Sequence, residues 1–206
     1  MAEQIASSAR IFPNVHFGKN VVVEDFCIIG CPPRGAREGE FETVIGDNAI
    51  IRSHTVIYAG NIIGRNFQCG NKANIRESNA IGENVSIGTL SVVEHHVDIE
   101  DGVRIHTQVF IPEFSKLHRG SWIGPNVVFT NASYPLSPTV KDQLAGPSIE
   151  ENAKIGANCT LLPGVVVGRN SLIGAGSVVT KNIPADSVAF GNPAVVVKSI
   201  SELPYA

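Results

Sequence analysis

Over most of this chain every sixth residue is aliphatic, and few folds can satisfy such a period. Reading from Ile5 gives Ile5, Ile11, Phe17, Val23 and Ile29; the register restarts at Ile45 and runs to Phe129, then restarts at Ile149 and runs to Val179. All of these 26 positions except Phe17, Cys69 and Phe129 are Ile, Leu or Val, where composition alone would place about seven. A period of six is neither helical nor a plain strand alternation. It suits a chain that turns a corner every six residues and points one aliphatic side chain inward from each face. Three residues after the inward position stand Asn48, Asn66, Asn84, Gly102 and Gly120, spaced by eighteen. Asn and Gly sit easily in the left-handed backbone region that a tight corner needs. Eighteen residues per turn with three corners describes a triangular prism.

Composition agrees. The chain has 24 Val and 22 Ile against 8 Leu, with 20 Gly and 16 Asn. Branched side chains are stiff and favour pleated backbone, so short strands and tight corners are expected throughout. The 206 residues suffice for a sizeable core, and a net charge of −3 without blocks of like charge argues against nucleic acid or an anionic membrane as partner. No apolar run approaches the length of a membrane span and no signal-peptide core is present, so a cytoplasmic protein is expected. Cys27, Cys31, Cys69 and Cys159 form no CxxC pair and read as free thiols.

The register breaks twice. Ile29 to Ile45 spans 16 residues and Phe129 to Ile149 spans 20, neither a multiple of six. Loops 30–44 and 130–148 are therefore expected to leave the prism at corners. The first carries Arg34 and Arg37, whose guanidinium forks suit a diphosphate, and the second is long enough to carry function. The expected organisation is a β-helix over 1–181 with a capping tail over 182–206.

Units such as IGDNAI (45–50), IGENVS (81–86) and IGANCT (155–160), with the closing segment 174–194, resemble the hexapeptide-repeat acyltransferases. The resemblance implies an all-β, left-handed parallel β-helix, acetyl-CoA as co-substrate and assembly as a homotrimer. Segment 91–99, SVVEHHVDI, is similar to the stretch of the nucleotide-amino-sugar N-acetyltransferases that holds the general base, which maps onto His95. Position 96 is commonly acidic in the bacillosamine-type members, so His96 departs from the pattern. Residues eighteen apart stack on adjacent coils, and the column through His95 reads Ala59, Glu77, His95, Glu113, Asn131. An imidazole between two carboxylates can have its tautomer fixed and its basicity raised by either.

The catalytic set expected is thus His95, Glu77 and Glu113. His96, Asn131, Arg34 and Arg37 would bind substrate, joined by His106 and Gln108, which read as lying one coil below His95. The resemblance further implies coenzyme A contacts at Ala157, Ala175, Arg169, Lys181 and Pro193. The activity implied is transfer of acetyl from acetyl-CoA to the amino group of a nucleotide-linked amino sugar. O-acetylation of a sugar or other small hydroxyl acceptor is the alternative, weakened because the sugar O-acetylating relatives place a His directly after an Asn where this chain has Ala132. A zinc protein like the γ-type carbonic anhydrases would need an H-x4-H pair, and no two histidines here are five apart. His95 and His96, read as strand neighbours, would point to opposite faces, so no metal is expected. A non-catalytic β-helical scaffold is the remaining reading.

Overall fold

The computed structural model describes residues 4–204. Its strands are mostly two residues long and form three sheets of eleven, nine and eight strands, parallel throughout except for the last strand of the first, here faces A, B and C in the order the chain visits them. Where no loop or tail intervenes, each strand pairs with the one eighteen residues on: Asn74 lies against Val92, and Val92 against Phe110. The inward column is buried as the period requires, with Ile51, Ile57, Ile75, Ile111, Ile123, Ile155 and Ile173 fully inaccessible. Burying each such side chain contributes about 1.5–3 kcal/mol.

Most corners repeat one conformation. Away from the first coil, the two loops and the tail, the third residue after an inward position has positive φ whatever its identity: +59° at Asn48, +58° at Asn84 and +69° at Gly102, but also +58° at Leu90, +56° at His96 and +64° at Phe114. Bulky residues pay a steric penalty there, and stacking of the coils above and below imposes it. A second buried column, four residues after most inward positions, fills the corners, in places with small residues such as Ala49, Ala73, Ser91, Ser115 and Ser121.

The two excursions leave the register intact. Val22 pairs with Ile50 across the first, and Val128 with Thr160 across the second, so each coil closes as if its loop were absent. Past residue 181 the chain contributes one more rung to face A: Ser187–Gly191 pairs in parallel with Leu172–Ile173, burying Ala189. It then folds back antiparallel through Ala194–Ser199, which borders that end of face A. All four cysteines are free thiols, and burial pushes the Cys69 thiol up to about 11.

Candidate active site

Both loops and the His95 column leave the prism at one edge, the corner between faces B and C. The backbone of this edge is fixed from inside by a buried asparagine ladder. Asn61 Nδ2 donates to the carbonyls of Tyr58 and Arg76, at 2.7 Å each. Asn79 Nδ2 also donates to the Arg76 carbonyl at 2.8 Å, while Asn79 Oδ1 accepts from the Val97 N–H at 2.8 Å. Three successive corners are thereby tied together directly beneath the outward-facing charged groups. In a dry interior such satisfied amides fix geometry because breaking one strands its partners.

On the outside of the edge, His95 Nε2 lies 2.6 Å from Glu113 Oε1, with the two side chains 25% and 24% exposed. Asn131 Nδ2, at the root of the second loop, donates to Glu113 Oε2 at 3.2 Å. The column expected from the eighteen-residue spacing is therefore formed over His95, Glu113 and Asn131. Glu77 behaves differently: both its oxygens are taken by Arg76, at 2.8 and 3.0 Å, and Arg76 also reaches Glu94 at 3.4 Å. Burial raises the Glu77 carboxyl, but the Arg76 hydrogen bonds and charge outweigh it and hold the group below its ordinary value. Glu77 hydrogen-bonds Arg76, so Glu113 is the carboxylate partner of His95. The orienting arginine was missed in the sequence because it neighbours Glu77 in the chain instead of stacking eighteen residues away.

The two histidines do not diverge as strand neighbours would. The left-handed φ at His96 turns the chain between them, and their Nδ1 atoms stand 2.7 Å apart with the rings edge to face. His96 also lies over the Phe114 ring, 6.0 Å between centroids. Its ring borders a cleft of about 470 Å³ roofed by the first loop and lined by Arg34, Glu40, Phe41, Glu77 and Ser78 among others. Arg34 thus reaches the site, whereas Arg37 lies outside the cleft lining, its backbone N–H donating to Glu40 Oε2 at 2.9 Å.

His106 and Gln108 correct an expectation. They do not sit one coil below His95 but at the corner between faces A and B, because the separation from His95 is not a multiple of eighteen. His106 packs on Trp122 at 4.6 Å, its Nε2 is buried without a partner, and burial together with the nearby Arg104 lowers it. It borders a separate polar trough of about 410 Å³ floored by Gly70 and Gly88. Ala157 and Ala175 share this A–B edge, one coil apart. Arg169 sits on the C–A edge 3.6 Å from Asp186, exposed Lys181 on the B–C edge, and Pro193 in the turn of the terminal hairpin. One protomer therefore does not gather the residues expected to hold coenzyme A into a single groove. Among the described residues no cluster of three His, Cys, Asp or Glu is poised for a metal, and no helix is long and apolar enough to cross a membrane.

The fold and the repeat define a class. Residues 146–181 match the bacterial transferase hexapeptide family of six repeats, and the same six-residue period runs through the coils on either side of the second loop. It shares its fold over 98% of its length with LpxA from Acinetobacter baumannii, at 17% identity and a TM-score of 0.54 over 74% of that chain. LpxA from Bacteroides fragilis, a UDP-N-acetylglucosamine acyltransferase, matches over 98% of this chain and 79% of its own at 21% identity and a TM-score of 0.53. The architecture is that of the left-handed β-helix acyltransferases. In sequence, the galactoside O-acetyltransferase of Lactococcus lactis is 38% identical over 125 residues, 59% of this chain and 56% of that protein. The bifunctional protein GlmU of Halalkalibacterium halodurans is 30% identical over 162 residues, 72% of this chain and 34% of that protein. The chain thus spans little more than half the length of the first relative and a third of the second.

Proposed function

We propose that the protein transfers an acetyl group from acetyl-CoA to the amino group of a nucleotide-linked amino sugar. The observation that carries this reading is the convergence of four features on one edge: the first loop with Arg34, the second loop with Asn131, the His95–Glu113 pair, and the cleft that the first loop forms with Glu77 and His96. Arg34, a fork suited to a phosphate, and the Phe41 ring, exposed for stacking, supply what a nucleotide-linked sugar needs. The amine would attack the thioester carbonyl directly. As the C–N bond forms and the C–S bond breaks, its proton passes to the histidine system centred on His95.

The donor belongs to a second copy in this reading. Ala157 and Ala175 offer a lane of small side chains on the A–B edge, away from the B–C edge that carries His95. In a homotrimer, one protomer's A–B edge can face its neighbour's B–C edge and complete the site. Supporting this assembly, Phe110 and Val128 stand exposed on consecutive strands of face B, and Leu136 at the tip of the second loop is 98% exposed. A cytoplasmic enzyme with a soluble nucleotide-sugar substrate fits the same reading.

The similarity to a galactoside O-acetyltransferase favours a second reading, transfer to a sugar hydroxyl. Thiol release from acetyl-CoA, followed with UDP- and dTDP-linked amino sugars, galactosides, maltose and a buffer blank, decides between them. Turnover with a nucleotide amino sugar alone is expected. Turnover with a galactoside or maltose alone would transfer the assignment to O-acetylation, and silence across the panel with coenzyme A still bound would discard both acceptors.

A further inference from the structure

We infer that His96, not His95, receives the acceptor's proton, and that His95 and Glu113 form a relay behind it; the inference rests on the acetyl-transfer reading above. The chain of assignment starts at Glu113. A carboxylate only accepts hydrogen bonds, so the His95 nitrogen 2.6 Å from Glu113 Oε1 carries a proton, and that nitrogen is Nε2. In an uncharged imidazole the other nitrogen is then a bare acceptor, so His95 Nδ1 presents a lone pair. His96 Nδ1 lies 2.7 Å from it, a distance that two lone pairs would not hold, and must donate. With its proton on Nδ1, uncharged His96 has its lone pair on Nε2. That atom makes no hydrogen bond among the described residues, and the ring borders the cleft that Arg34, Phe41 and Glu77 line. Glu113 thus fixes two tautomers in series and leaves the basic nitrogen in the ring that borders the cleft.

The step balances. As the acceptor nitrogen bonds to the acyl carbon, its proton moves to His96 Nε2, and the His96 Nδ1 proton moves to His95 Nδ1. The developing positive charge ends on the His95 ring, against the Glu113 carboxylate. The expelled thiolate recovers a proton when the relay resets. Moving the cation one residue back places it beside its counter-ion, which a lone His96 could not do. Asn131 holds the far oxygen of Glu113, so the root of the second loop sets the end of the relay.

The tautomers can be read without any substrate. Nitrogen-15 NMR of histidine-labelled protein at neutral pH, assigned with His95→Asn and His96→Asn, should show His95 protonated on Nε2 and His96 on Nδ1. Asn suits the His96 variant because Asn48, Asn66 and Asn84 adopt the same left-handed conformation at corners of another edge. The opposite tautomers, or a His95 already in the imidazolium form, would overturn the inference. Kinetics form the second arm, on whichever acceptor the panel identifies. His96→Asn should lower kcat by about 100-fold or more and abolish the acid limb of the kcat/KM profile. His95→Gln, whose amide can still accept from His96 and donate to Glu113 but cannot take the proton, should lower kcat about tenfold with KM little changed. A His96→Asn enzyme within threefold of wild type, with His95→Gln down 100-fold, would return the base to His95. Wrong tautomers in an active acetyltransferase defeat the relay alone; right tautomers with no acceptor turned over defeat the acetyl-transfer reading and the relay's catalytic role with it.

Discussion

At the scale of single residues, the site separates two carboxylates that the sequence presents as equivalent. Glu77 and Glu113 flank His95 at the same spacing, yet Glu77 is bound by Arg76 and Glu113 by His95 and Asn131. The consequence for Glu77 has a definite sign. Its folded carboxyl sits below the ordinary value, so the stabilisation is present above that value and is lost as pH falls through the depressed one. Glu77→Gln should therefore lower the urea midpoint at neutral pH and flatten its fall on the acid side, the two proteins converging as Glu77 of the wild type protonates; an unchanged acid slope would show that the Arg76 pair contributes nothing to stability. For Glu113→Gln the expectation is kinetic: a loss in kcat of about 10-fold or more, because an amide cannot stabilise the imidazolium that proton transfer creates, with a Tm near that of wild type. What the sequence could show here was the column, since stacking follows from the period. Arg76 as the partner of Glu77, and the contact between His95 and His96, depend on the rotamers and left-handed φ of one corner, which no spacing encodes.

At the scale of elements, the coil is a repeated six-residue solution, and its period was legible because the same packing problem recurs on every face. Inward Ile and Val at positions such as 75, 93 and 111 follow from it directly. The second buried column was not read from the sequence, because its members range from Ala and Ser to Phe67 and share size limits at a corner more than hydrophobicity. Within that column Asn79 is the informative case. Replacing it by Ala would leave the Val97 N–H without its acceptor and remove a donor from the Arg76 carbonyl, costing about 1–3 kcal/mol for each buried group stranded. Asn79→Ala should lower thermal stability and, because it loosens the corner that carries Arg76, also lower kcat more than a remote core truncation of equal destabilisation. Ile155→Ala, expected to cost 2–5 kcal/mol through its cavity, is the control. Equal kcat in the two variants would mean the ladder serves stability alone. The loops illustrate the opposite limit: breaks in the register point to them from the sequence, but only the three-dimensional coil shows that both leave by the same edge.

At the scale of the whole molecule, the unresolved demand is one of geometry: the proposed acceptor groups lie on one edge of the prism and the lane of small residues that suits the donor lies on another. A rigid β-helix cannot bend to join them, since every backbone corner is locked to the coils on either side. A second copy is the simplest way to complete the site, and the apolar outer side of face B, with Phe110 and Val128, is the surface available for it. Phe110→Asp places a charge at the centre of that surface while leaving the inward column untouched, so the folded coil should survive with its far-ultraviolet spectrum and most of its Tm. The mass measured by light scattering should fall from about three protomers to one, and acetyl transfer should fall with it, because His95 would lose the neighbouring lane although every residue of its own edge remains. Mixing Phe110→Asp with His95→Ala subunits should not restore activity if the charged face prevents assembly. A Phe110→Asp protein that is monomeric and fully active would show that each protomer holds a complete site and that the donor runs along the B–C edge itself.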